Sequence, residues 1–76
     1  MNIKIKTLNG QIINVYVQND NSINEIKNQI QEMEGINPDY LRIFCNGLLL
    51  DPNAKIKDLD INQHSTLHLI LALRGG

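Results

Sequence analysis

Ser22-Ile23-Asn24-Glu25-Ile26-Lys27-Asn28-Gln29-Ile30-Gln31-Glu32-Met33-Glu34-Gly35-Ile36-Asn37-Pro38 reads as one helix with both ends marked. Ser22 with Glu25 three residues later forms a capping box, which satisfies two of the amide donors that a helix start leaves without partners. At about 100° per residue, Ile23, Ile26 and Ile30 fall within a sector of about 60°, with Met33 on one flank and Lys27 on the other. Gly35 supplies the left-handed residue beyond the last turn, Ile36 can close back on the Ile30 turn, and Pro38 prevents continuation. A single narrow apolar stripe predicts a helix that lies on a sheet.

The flanking sequence supplies that sheet. Before the helix, Ile3, Ile5 and Thr7 alternate with Asn2, Lys4 and Lys6, the period of a half-buried strand. Asn9-Gly10 predicts a tight hairpin turn with positive φ angles, and Ile13, Val15 and Val17 continue the inward face against Asn14 and Tyr16. After the helix, Leu41, Ile43 and Cys45 share one face while Arg42 and Phe44 take the other. Asn46-Gly47 is a second hairpin signal before a short strand over Leu48 to Leu50. Asp51-Pro52-Asn53 ends that strand, and Ile56, Leu59 and Ile61 occupy a span that fits one helical turn or an ordered loop. Leu67, Leu69 and Leu71 then alternate with Thr66, His68 and Ile70 in a last strand. The order predicts an α+β domain of the β-grasp type, a mixed sheet of about five strands curled around one helix. It spans residues 1–71, and residues 72–76 are expected to form a flexible tail with nothing left to pack.

A chain of 76 residues has room for one core. With 42% hydrophobic residues, 20% charged residues and a net charge of −1, it is neither kept disordered by charge nor basic enough to point to nucleic acid or an acidic membrane surface. Cys45 is the only cysteine, and no Cys/His cluster has zinc-ligand spacing, so no disulfide, metal or cofactor is expected to hold the domain together. A reducing, intracellular compartment fits this usage. No apolar run approaches the ~18 residues of a membrane span, and the N-terminus has no secretory apolar region. The expected state is a soluble monomer.

No residue set reads as a catalytic centre, and the chain is not expected to be an enzyme. Cys45 with His64 or His68 could make a nucleophile and base, but Cys45 has the inward parity of its strand and His68 the outward parity of its own. A buried structural thiol is the simpler reading. Asp51, Asp58 and Asp60 lack calcium-loop spacing and read as turn and cap residues. Two features are left. Parity places Phe44, His68 and Ile70 together on the outward face, with Leu8 protruding from the first turn. Single surface apolar residues are ordinary, whereas adjacent strands gather these into a candidate partner-binding patch. The second is Leu71-Ala72-Leu73-Arg74-Gly75-Gly76, whose two glycines carry no Cβ and make a strand thin enough to thread a narrow channel, with the Gly76 carboxylate as the reactive group.

These residues resemble the ubiquitin family over the whole chain: Lys6-Thr7-Leu8, Gly10, Glu34-Gly35-Ile36, Pro38-Asp39, Arg42, Gly47, and above all Ser65-Thr66-Leu67-His68-Leu69 leading to Leu73-Arg74-Gly75-Gly76. The resemblance implies a protein modifier. Its terminal carboxylate would be activated, passed as a thioester to cysteines of activating and conjugating enzymes, and joined to a target lysine by an isopeptide bond. Leu8, Phe44, His68 and Ile70 match the family's partner-binding patch, with Phe44 in place of the usual Ile. Ala72 stands where ubiquitin has Arg and where the neddylation branch, the modifiers of cullins, has Ala. Ile3-Lys4 also resembles that branch.

Among the lysines on which ubiquitin builds chains, only Lys6 and Lys27 have matches here; Gln11, Gln29, Met33, Leu48 and Gln63 take the other places. The neddylation branch normally has a lysine at the Leu48 position, so this chain diverges from both relatives. Implied partners are activating and conjugating enzymes, cullin-type targets and ubiquitin-like-specific proteases, in the cytoplasm and nucleus. A divergent ubiquitin and a non-conjugated ubiquitin-like interaction domain are the alternatives, and the latter would need the patch but not Gly75 and Gly76.

Overall fold

The computed structural model describes residues 1–72. Helix α1 runs Ile23–Glu34 and is closed at both ends by its own sequence. Ser22 Oγ accepts the Glu25 amide at 3.2 Å, and Glu25 Oε1 accepts the Ser22 amide at 3.3 Å. At the other end Gly35 takes φ +71°, and its amide donates to the Gln31 carbonyl at 2.7 Å. A 3-10 turn over Pro38–Tyr40 follows, started by Asn37 Oδ1, which accepts the Asp39 amide at 2.9 Å. Ile23, Ile26 and Ile30 are fully buried, each stabilising the fold by about 1.5 to 3 kcal/mol.

The stripe packs on one five-stranded sheet. Its strands are β1 (Asn2–Thr7), β2 (Ile12–Tyr16), β3 (Leu41–Cys45), β4 (Leu48–Leu49) and β5 (Thr66–Leu71), in the spatial order β2-β1-β5-β3-β4. β1 and β5 pair in parallel at the centre and the other pairs are antiparallel. This is the ubiquitin-like β-grasp, an α+β fold. Ile3, Ile5, Ile13, Val15, Leu41, Ile43, Leu67 and Leu69 are the buried alternates of their strands. Val17, Leu50, Ile61 and Ile56, the last in a second 3-10 turn over Ile56–Asp58, complete the core. That segment is tied to the helix start: Ile23 N–H donates to the Ala54 carbonyl at 3.0 Å, and Ile56 N–H to the Asn21 carbonyl at 2.9 Å. Leu71 shares the inward parity of β5 yet is 45% exposed, with Leu8, Glu34 and Ile36 around it in a shallow concavity.

The two Asn-Gly turns differ. Asn46 and Gly47 both take positive φ, +53° and +80°, as a two-residue hairpin turn requires. In the first hairpin only Gly10 does, at +85°, and the connection is a three-residue loop, Leu8-Asn9-Gly10. Register is the reason. Ile5 faces Ile13 across β1 and β2, and both are buried. A two-residue loop at Asn9-Gly10 would set Ile5 against Asn14 and turn one strand's apolar face outward.

Candidate functional site

The side of the sheet turned away from α1 carries a row of side chains across four strands. Lys6 on β1 lies beside His68 on β5, His68 opposite Phe44 on β3, and Phe44 opposite Leu49 on β4. Two residue pairs further along the ladder, past the inward pair Ile43–Leu69, Ile70 faces Arg42. Leu8 is 80% exposed at the tip of the first hairpin. Its loop is held by Gly10 N–H to the Thr7 carbonyl at 3.1 Å and by Gln11 N–H to Thr7 Oγ1 at 3.1 Å. Leu8, Phe44, His68 and Ile70 line one shallow concavity, with Lys6 and Gly47 at its border. His68 is exposed, while Phe44 and Ile70 are half-buried among their cross-strand neighbours.

Among the described residues no strand contains Asp or Glu, whereas Lys4, Lys6 and Arg42 all point to this outward side. An apolar centre with cations at its margin suits a partner surface with apolar anchors and acidic flanks. Leu49 extends the row and was not among the residues predicted for the patch. The Asn46-Gly47 turn carries the signal for it, because a two-residue loop sets Cys45 against Leu48 and Phe44 against Leu49.

Cys45 and His68 lie on opposite faces. Cys45 is half-buried and packs against the core, as its parity in β3 predicts. Among the described residues no group of three or more His, Cys, Asp or Glu side chains is arranged to hold a metal ion, and no helix is long and apolar enough to cross a membrane.

The two predicted lysine acceptors differ in access. Lys6 is exposed, whereas Lys27 is 6% exposed on the flank of the apolar stripe. Burial holds the Lys27 ammonium below its ordinary pKa, Arg42 adds to that effect, and Asp39 opposes it. Arg42 is fixed by two bonds from Nη1, to the Asp39 and Leu41 carbonyls, each at 3.0 Å.

At the C-terminal end the Ala72 amide donates to the Tyr40 carbonyl at 2.6 Å, which holds residue 72 beside the 3-10 turn that follows α1. Arg74, Gly75 and Gly76, the predicted conjugation terminus, lie outside the described residues, as does the rest of the predicted tail beyond Ala72.

A sequence model described as the ubiquitin family matches residues 3–74. The chain belongs to the ubiquitin family. Within the ubiquitin family it is similar to NEDD8-like proteins: it is 41% identical to the NEDD8-like protein RUB3 of Arabidopsis thaliana, over all of this chain and 97% of that one. Identity to the ubiquitin-like protein NEDD8 of Dictyostelium discoideum is 38%, and to the NEDD8-like protein RUB1 of Saccharomyces cerevisiae 36%, each over all of this chain and 99% of the relative. Each of these ubiquitin-family alignments runs over 76 residues and so takes in Leu71-Ala72-Leu73-Arg74-Gly75-Gly76.

Proposed function

We propose that this ubiquitin-like protein is a modifier of the neddylation type, attached through the Gly76 carboxylate to lysines of cullin-type targets. The observation that carries the reading is full-length similarity to NEDD8-like proteins joined to an Ala72-Leu73-Arg74-Gly75-Gly76 ending. In the proposed sequence a carboxylate oxygen of Gly76 attacks the α-phosphate of ATP and pyrophosphate leaves. A cysteine thiolate of the activating enzyme then displaces AMP to form a thioester, which passes to a conjugating enzyme. A target lysine amine displaces that thiol and forms the isopeptide bond. This chain is the substrate throughout, the Leu8, Phe44, His68 and Ile70 surface docks partners, and ubiquitin-like-specific proteases reverse the attachment. The cytoplasm and nucleus are the compartments this reading entails.

Ala72 is the proposed determinant of which activating enzyme accepts the chain. An Arg there would add a long cation, favourable against an acidic acceptor and unfavourable against a basic one. Discrimination of ~10² to 10³-fold requires only about 3 to 4 kcal/mol, within the range of one buried charge contact. The test is thioester formation with ATP and the purified activating enzymes for ubiquitin and for the cullin modifier, read on a non-reducing gel. The wild type is expected to be charged by the cullin-modifier enzyme. Ala72→Arg should move charging toward the ubiquitin enzyme, and deletion of Gly75 and Gly76 should abolish both. Charging of the wild type by the ubiquitin enzyme alone would make it a divergent ubiquitin, and charging by neither would make it an interaction domain.

A further inference from the structure

Lys27 is the one charged residue buried among those described, and it opens onto a groove of about 710 Å³ on the side of the helix away from the first hairpin. That volume lies in the ~300 to 1,000 Å³ range of sites that bind small groups. Lys27 has no ion-pair partner within 4.0 Å and no side-chain hydrogen bond among the described residues. Among the described residues no buried side-chain nitrogen is left unsatisfied, so the Lys27 stem is enclosed while its ammonium keeps access to the groove. A partly desolvated, unpaired cation is unfavourable, and an incoming anion would reverse that.

We infer that this groove receives a carboxylate carried beside an apolar side chain, on an acidic and apolar segment of a partner protein. Arg42 lines the groove with Lys27. Its Nη1 is spent on backbone carbonyls, which fixes the guanidinium and leaves Nε and Nη2 without a partner among the described residues. Among the described residues Asp39 is the only acid in the lining and offsets one of the two cations, which leaves these lining residues positive by one charge. Two cationic donors lining one groove, one of them held in place, match a carboxylate. Tyr40, Leu49 and Pro52 supply apolar walls, and these favour a side chain attached to the anion over a bare ion. Continuity points to a protein segment: Leu49 stands opposite Phe44, so the groove opens onto the apolar patch. A segment lying on the patch can place an acidic side chain in the groove. Asp39 in the lining and the chain's net charge of −1 weigh against a phosphate-rich polymer.

The experiment titrates the blocked peptide acetyl-Leu-Glu-Leu-amide into the isotopically labelled full chain, and it reads equally well whether or not the chain is conjugated. Amide shifts are expected at Lys27, Tyr40, Arg42 and Leu49. Binding should be at least tenfold tighter than for acetyl-Leu-Gln-Leu-amide and for sodium acetate at equal ionic strength. Lys27→Met should abolish the preference for Glu over Gln, and Lys55→Met, on the exposed surface, should leave it unchanged. If Lys27→Met does not fold, the Lys27 ammonium resonance of the wild type replaces it, and its titration should move to higher pH when the peptide is present. Equal binding of the Gln peptide, acetate binding as tightly as the peptide, or shifts spread over Lys4, Lys6 and Lys57 would each overturn the inference.

Discussion

His68 faces Phe44 across the antiparallel β3–β5 ladder, on the side of the sheet turned away from α1. The pair sets a polar ring against an apolar one on a surface that Leu8 and Ile70 also line, with Lys6 beside it. A partner covering that surface must desolvate both rings at once. Affinity should therefore concentrate on a few side chains here.

Phe44→Ala is accordingly expected to separate binding from folding. Phe44 is half-buried, so its truncation should remove about 1 to 2 kcal/mol of stability, against ~3 to 5 kcal/mol for a fully buried Phe. The cullin-modifier activating enzyme, titrated into labelled protein, should first perturb the amides of Leu8, Phe44, His68 and Ile70. The variant should bind it about tenfold more weakly, or ~1.4 kcal/mol. Perturbations that avoid these residues would remove the surface from the account.

Ile30→Ala tests the core. Ile30 is 0% exposed beneath the sheet and Asn28 is exposed on the same helix. Urea melts should show a loss of about 2 to 5 kcal/mol for Ile30→Ala and a change within about 0.5 kcal/mol for Asn28→Ala.

Asn46 holds φ +53° between strands whose register needs it there. Asn46→Gly should be nearly neutral, because glycine takes that region freely. Asn46→Ala should lose about 1 kcal/mol, since an ordinary Cβ is strained in the left-handed region. Thermal melts of the two variants distinguish turn strain from the loss of the Asn side chain, which they share.

The lowered pKa of Lys27 fixes the sign of a pH effect. Burial comes first, then Arg42, with Asp39 opposing. Below the folded-state pKa both states hold the proton and the fold bears the burden of an enclosed cation. Between the lowered pKa and the ordinary value of 10.5 the unfolded chain binds more protons, so stability rises with pH across that window. Denaturant melts at a series of alkaline pH values should show this rise for the wild type relative to Lys27→Met, and the difference should flatten above 10.5.

Most of the fold was legible because its signals are local. The Ser22 and Glu25 box, the Gly35 stop and the two-residue turn at Asn46-Gly47 depend on residues within one turn of each other. Asn9-Gly10 was not settled locally, because the same dipeptide serves loops of two or three residues. The choice there is made by Ile5 and Ile13 needing to face the same core. Phe44, His68 and Ile70 could be grouped because strand parity reports which face a residue takes, and Leu8 joined them because it protrudes from the first turn. The groove at Lys27 could not, since its walls come from the turn after the helix, from β4 and from Pro52, which approach one another only after folding. Leu71 failed the parity rule for a related reason: alternation sets a side chain's direction but not whether anything lies over it.

The parallel pairing of β1 with β5 sets the order of events when the chain is synthesised. Ile5 and its neighbour across the centre of the sheet, Leu67, lie far apart along the chain, so Ile5 is made long before Leu67. The first hairpin and α1 can form locally, but the middle of the sheet stays open until the final strand arrives. Until then the inner edge of β1 presents unpaired backbone groups and the apolar stripe of α1 has only part of its cover. The sheet thus closes only once Thr66–Leu71 has been made, and a polypeptide halted before Thr66 would expose a surface suited to recognition by chaperones and degradation systems.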